Sequence, residues 1–259
     1  MIFKASMWGF WALVLILWGL LAPKAAGAKT PVYKAQILEE YAHDPTLFTQ
    51  GLFFLEGDLV ESAGLYGHSL VRRYEPGGQI KAELKFKDNV FAEGAVFANG
   101  SIIVLTWREG LVFYLDPQTL AIKETRFLPK EGWGLTFDGS KLWRSDGSAR
   151  LSPLTPFLEP AGPALVVTDN GLPVRLLNEL EMDPQSGLIL ANIWGQPLVA
   201  FIDPVTGEVK FYLDCRLLKQ KANVKNPEAV LNGLALDSKG RLHLTGKLWP
   251  KTFVVDWNE

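Results

Sequence analysis

The chain has 259 residues, 48% of them hydrophobic and 21% charged, which is the profile of a folded globular protein and excludes a disordered tail or a collagen-like rod. The formal net charge of −2 gives no electrostatic reason to expect nucleic acid or an anionic membrane as a partner. A lone Cys215 excludes an internal disulfide. His43, His68 and His243 sit at no metal-binding spacing to one another, so neither a CxxC redox motif nor a histidine metal site is expected.

The first segment reads as an address. Lys4 supplies a positive start, Ala5 to Ala22 is almost wholly apolar, and Ala26-Gly27-Ala28 is the small-x-small pattern that signal peptidase accepts. Residues 1–28 are therefore expected to be a signal peptide, with residues 29–259 acting in the periplasm or outside the cell. The rival reading is an uncleaved anchor, because the run approaches the roughly 18 to 20 residues that span a bilayer. Only in that case is a membrane contact expected.

Beyond Lys29 no helical period stands out. Short apolar or alternating runs are separated by Gly, Pro, Asp and Asn clusters, which predicts many short strands joined by turns. Before the first full repeat, Val32–Tyr41 lacks a partner of its own. It is expected to complete the last sheet beside Thr252–Trp257.

The runs then repeat. Phe48-Thr49-Gln50-Gly51-Leu52 is echoed by Phe91-Ala92-Glu93-Gly94-Ala95, Gly132-Trp133-Gly134-Leu135, Leu177-Asn178-Glu179-Leu180 and Leu231-Asn232-Gly233-Leu234. Successive copies lie about 40 to 55 residues apart, the period of propeller blades. Each is followed by a second strand ending near a small polar residue: Ser62, Thr106, Ser145, Asn192 or Thr245. Third strands lead to turns such as Asp116-Pro117-Gln118-Thr119 and Asp203-Pro204-Val205-Thr206-Gly207, where Pro presets φ and Asp bonds the backbone ahead. The predicted fold is all-β: a five-bladed β-propeller whose N-terminal strand closes the last blade, with a site at one mouth of the central channel.

Several strings also resemble, in order from about Tyr33 to the C-terminus, the glutamine cyclotransferases of the plant and bacterial type. They are Phe48-Thr49-Gln50-Gly51-Leu52, Gly64-Leu65-Tyr66-Gly67, Phe91-Ala92-Glu93-Gly94, Leu105-Thr106-Trp107 and Gly132-Trp133-Gly134-Leu135-Thr136. Ser145-Asp146-Gly147-Ser148, Leu177-Asn178-Glu179-Leu180-Glu181, Ala191-Asn192-Ile193-Trp194, Leu231-Asn232-Gly233 and Thr245-Gly246-Lys247 complete the set. Val60 and Ala63 depart from it, standing where related sequences often carry Tyr and Thr. The resemblance implies a five-bladed propeller that closes the N-terminal glutamine of peptides or proteins into pyroglutamate and releases ammonia. It implies no metal and no cofactor.

Such a reaction needs a proton shuttle, an enclosing pocket and donors for a developing oxyanion. Glu93 is the expected shuttle, since a carboxyl beside indole surfaces is raised toward neutrality by desolvation. Trp107, Trp133 and Trp194 are expected to box the glutamine side chain. Gln50 and Asn178 are expected to hydrogen-bond it, Lys247 to stabilise negative oxygen, and Phe48 to pack beneath. Glu179 is expected to hydrogen-bond along the channel wall and Glu181 to be solvated. A monomer is expected. Two other readings stay open: a calcium-dependent propeller hydrolase or lactonase using Glu93, Asn178, Glu179 and Asn192, and a non-catalytic binding propeller.

Overall fold

The computed structural model describes residues 29–257. The expected signal segment, residues 1–28, lies outside them. Among the described residues no helix is long and apolar enough to cross a membrane.

Five sheets are arranged as blades, each running outward from an inner strand. The inner strands are Thr49–Leu55, Ala92–Ala98, Leu135–Phe137, Leu177–Met182 and Leu231–Leu236, and each contacts the next around a closed ring. Apolar side chains alternate between the two faces of the blades and fill the gaps between them. Leu135 and Leu142, for example, pack with Ile103, Leu105 and Val112 of the preceding blade, while Trp143 and Leu151 pack with Leu180 and Ile189 of the following one. No blade could bury both faces alone, so the ring is the stable unit.

The channel is narrow because the inner strands touch through backbone. A Cβ on Gly94 would fall 2.7 Å from the Cα of Gly134, and one on Gly134 would fall 2.0 Å from the carbonyl oxygen of Asn178. Only glycine permits that approach. In the fourth blade the matching position is Glu179. Its side chain enters the channel instead, and Oε1 accepts the N–H of Leu52 at 3.3 Å.

Closure differs in one respect from the expectation for Val32–Tyr41. That stretch is two strands. Gln36–Ala42 pairs antiparallel with Lys251–Asp256 and completes the fifth blade, as predicted. Val32–Lys34 instead runs parallel to Val209–Asp214 and adds a fifth strand to the fourth blade. Ala35 sits between them, its N–H donating to the carbonyl of Asp214 at 3.1 Å. The chain thus steps across the last blade junction, Val32 pairing with Tyr212 at the free edge of the fourth blade and Ile37 with Val255 of the fifth. A second departure from the all-strand reading is one short helix, Arg216–Ala222, which seals the fourth and fifth blades with Leu218 and Ala222. Cys215 is fully buried at its start.

The closing strand is tied to the first blade by a buried cluster. His43 Nδ1 bonds the carbonyl of Trp249 at 2.6 Å, and its Nε2 lies 3.1 Å from both carboxyl oxygens of Glu61. Glu61 also accepts from Thr49 Oγ1 and Tyr74 Oη, at 2.7 and 2.8 Å. Against the desolvation, the charge of His43 and these hydrogen bonds keep the pKa of the buried carboxylate below its ordinary value.

If the inner ring depends on bare backbone contact, Gly134→Ala forces neighbouring inner strands apart. Urea denaturation is expected to register a loss of about 3 kcal/mol. An alanine at the exposed turn residue Gly139, whose positive φ adds strain but whose surroundings are open, is expected to cost less.

Candidate active site

The site is built from a backbone irregularity that recurs in the blades. Pairing of the inner strand with its neighbour shifts register between Thr49 and Gly51, Ala92 and Ala95, Leu177 and Leu180, and Leu231 and Leu234. A bulge of this kind re-aims the residue it carries. Gln50, Glu93, Asn178 and Asn232 occupy those bulges. In the third blade Trp133 lies just ahead of the strand start at Leu135, its N–H donating to the carbonyl of Ser145.

The small polar residues of the second strands lock these positions across blade boundaries. Ser62 Oγ donates to the carbonyl of Glu93 in the next blade, Ser145 Oγ to that of Asn178 at 2.6 Å, and Asn192 Oδ1 accepts from Gly233 N–H at 3.1 Å. Asn232 Nδ2 closes the circle, donating to the carbonyl of Thr49 and to Gln50 Oε1 at 2.9 and 3.2 Å. Thr106 and Thr245 behave differently. They bond within their own blades, to the carbonyls of Leu111 and Lys251.

All eight side chains singled out from the sequence line one cavity of about 400 Å³: Phe48, Gln50, Glu93, Trp107, Trp133, Asn178, Trp194 and Lys247. The bulges supply its floor. The loops after the second strands supply Trp107, Trp194 and Lys247 as walls. Phe48 lies in contact distance of Phe91, ring centroids 6.3 Å apart, and Phe91 in turn meets Trp107 at 5.4 Å. Trp133 and Trp194 face each other edge-on at 6.4 Å, and Trp194 remains 44% exposed at the rim.

Three lining residues were not anticipated: Leu65, Phe91 and Glu228. Phe91 stands in its repeat where Phe48 stands in the first, and Leu65 follows the second strand as Trp107 and Lys247 do, so both were present in the repeat. Glu228 lies in the irregular connection between the helix and the fifth blade, where no repeat offset could mark it.

The electrostatics are those of a buried carboxyl and a buried amine with few compensating bonds among the described residues. Glu93 is 5% exposed. Burial raises its pKa well above the ordinary carboxyl value; Lys247 opposes this, while the negative fields of Glu131 and Glu109 add to it. No hydrogen bond from the described residues offsets the desolvation. Burial pulls Lys247 down to about 8, opposed by Glu93 and Glu228, and its Nζ stands 4.6 Å from the centroid of the Phe48 ring. Asn178 Oδ1 has no partner among the described residues, and Gln50 Oε1 is taken by Asn232, which leaves the Gln50 amide nitrogen as its free end.

Glu179 and Glu181 are not part of this cavity. The pKa of Glu179 is raised well above the ordinary value by burial and by Glu181. Glu181 is not the solvated carboxylate expected: it is partly buried, accepts the N–H of Leu236 at 3.1 Å, and is pushed up to about 8 by burial. It points to the opposite end of the channel, beside Asp183 and Asp237. Among the described residues no group of three or more His, Cys, Asp and Glu side chains converges as a metal site.

Comparison with known proteins identifies the family. A family model described as glutamine cyclotransferase matches residues 11–257. A curated glutaminyl-peptide cyclotransferase of Arabidopsis thaliana is 33% identical over 245 residues, covering 92% of this chain and 76% of the relative. The crystal structure of the glutaminyl cyclase of Myxococcus xanthus superposes with a TM-score of 0.82 at 38% identity, covering 89% of this chain and 99% of that one. Fold, cavity and relatives converge, and the chain belongs to the glutamine cyclotransferase family.

Proposed function

We propose that the cavity converts the N-terminal glutamine of peptides and proteins to pyroglutamate with Glu93 as the single proton shuttle and without a metal. The observation that carries this reading is a carboxyl buried among indoles, held by no hydrogen bond from the described residues, with a lysine opposite.

The cavity is open enough for one folded side chain and lined mostly by aromatic surface, which suits a glutamine bent back on its own terminus. Holding that conformer replaces a search through rotamers, and a preset geometry of this kind supplies much of the acceleration in ring closure. The α-amine nitrogen attacks the side-chain carbonyl carbon, and the carbon–nitrogen bond to the amide group breaks. Glu93, ionised, takes a proton from the attacking amine. It then returns that proton to the departing nitrogen, which leaves as ammonia, and the carboxylate is regenerated. A shuttle must both accept and give, so a pKa raised toward neutrality suits it.

Charge develops on the former amide oxygen in between. Lys247 supports it as a cation, and the free amide nitrogen of Gln50 donates to a substrate carbonyl. Asn178 Oδ1 accepts from the substrate, which gives that unpartnered buried atom its bond. Trp107, Trp133 and Trp194 exclude water and hold the rotamer, with Phe48 beneath. The proposed active form is a monomer. The apolar N-terminal segment and its Ala26-Gly27-Ala28 motif support export, with residues 29–259 as the catalytic domain.

Ammonia release from a Gln-Ala peptide by the purified chain is expected to survive a chelator and to fall by at least about a hundredfold in Glu93→Gln. Loss of turnover on chelation, restored by calcium, would reject the metal-free mechanism.

A second expectation concerns pH. Lys247 loses its charge as pH rises through about 8. The kcat profile is expected to decline above that point. In Lys247→Met the rate is expected to be roughly 10 to 100 times lower, with that decline gone.

The third concerns stability. A carboxyl whose pKa is higher folded than unfolded destabilises the native state only where the unfolded chain would ionise, above about pH 4. Glu93→Gln is therefore expected to melt higher than the unaltered chain at pH 7, by roughly 2 °C or more. The two melting curves are expected to converge below pH 4.

A further inference from the structure

Behind the cavity wall, one carboxylate holds two of the tryptophans. Glu131 Oε2 accepts the indole N–H of Trp107 at 3.1 Å and that of Trp133 at 3.2 Å. Its other oxygen, Oε1, accepts Arg108 Nε–H at 3.2 Å, and the Arg108 guanidinium lies over the Trp107 ring, 3.7 Å from its centroid. Trp107 follows the second strand of the second blade, whereas Trp133 opens the third. Glu131 therefore ties together two cage walls from different blades, and it does not itself line the cavity.

The local backbone supports this placement. Lys130, immediately before Glu131, adopts φ 91°, a left-handed conformation that costs a non-glycine residue energy. Beyond Trp133, Gly147 leaves room for the far edge of the indole, since a Cβ there would lie 2.6 Å from its Cη2. The Trp133 ring is thus bounded at its outer edge by bare backbone and fixed at its nitrogen by Glu131.

We infer that Glu131 is a positioning residue for the cyclisation, setting the angle between the Trp107 and Trp133 rings through their indole N–H groups. This rests on the reading of the cavity given above. An indole rotates about two side-chain bonds, and neither ring is fully buried, so packing alone leaves them room to move. A shared acceptor removes that freedom before substrate arrives. Its charge has a second effect: the negative field of Glu131 helps hold the Glu93 proton. Acceptor geometry and charge can be separated, because glutamine keeps a side-chain oxygen for the indoles and loses the charge.

The test compares Glu131→Ala and Glu131→Gln with the unaltered chain, using Gln-Ala peptide turnover and the near-ultraviolet circular dichroism of tryptophan. In Glu131→Ala, KM is expected to rise roughly tenfold, the size of one lost bond to a charged acceptor, with kcat within about threefold. The tryptophan signal is expected to weaken while the far-ultraviolet spectrum and melting temperature hold. Glu131→Gln is expected to restore both KM and the tryptophan signal. In both variants the acidic limb of the kcat/KM profile is expected to move to lower pH, as Glu93 gives up its proton more readily. An unchanged KM and an unchanged tryptophan signal in Glu131→Ala would overturn the inference, as would Glu131→Gln matching the alanine variant in both. The dichroism is read without substrate, so it decides the indole geometry even if the unaltered chain formed no pyroglutamate. That last result would overturn the reading of the cavity instead.

Discussion

Backbone contact between successive inner strands is the constraint from which the rest of the molecule follows. Where Gly94 meets Gly134, and Gly134 meets the carbonyl of Asn178, no side chain separates the blades. Each inner strand is thereby brought close enough for one blade's second strand to bond the next blade's bulge, as Ser62 does to Glu93 and Ser145 to Asn178. Side chains on the bulges then line one cavity although their positions are spread along about half of the chain. A wider ring would leave the same residues facing open water.

Burial gives this convergence its electrostatic character. A carboxyl with no hydrogen bond from the described residues is costly to ionise in a cavity lined by Phe48, Phe91 and three indoles. The blades tolerate that cost because their stability is drawn from other places, including the apolar seams between sheets and the His43–Glu61 cluster beneath the closing strand. The two buried carboxylates make an instructive contrast. Glu61 accepts from His43, Thr49 and Tyr74 and stays ionised; Glu93 accepts from none of the described residues and is held toward its neutral form. The difference between the two carboxyls lies in the donors around them, not in depth.

Much of this was legible in the sequence because a propeller writes its geometry as a period. The offset shared by Gln50, Glu93, Trp133, Asn178 and Asn232 marked the end of the channel before any coordinates were known, and the strand after each copy marked the walls. Features that do not repeat were harder to read. Val32–Lys34 crosses to the fourth blade because of what Val209–Asp214 leaves unpaired at its edge, a matter of tertiary pairing with no local signal. The helix at Arg216–Ala222 is too short to show a period. Glu181 looked like an exposed strand-end carboxylate, and only the neighbouring blade, through Leu236, reveals its burial. Glu131 sits beside a recognised motif, yet its role depends on two rings brought together from separate blades.

The split closing strand has a consequence for how the molecule can form. Tyr41 meets His243 and Lys251 meets Glu40, contacts between residues about two hundred positions apart, so the ring is completed only when these two distant segments meet. Contacts of such long sequence separation lose the most chain entropy before they gain anything, which places them late in assembly. A nascent polypeptide lacking its final hairpin has every other blade but nothing to receive Gln36–Ala42. Lys251–Asp256 must therefore be made before the circle can shut, and closure of the fold waits on that strand.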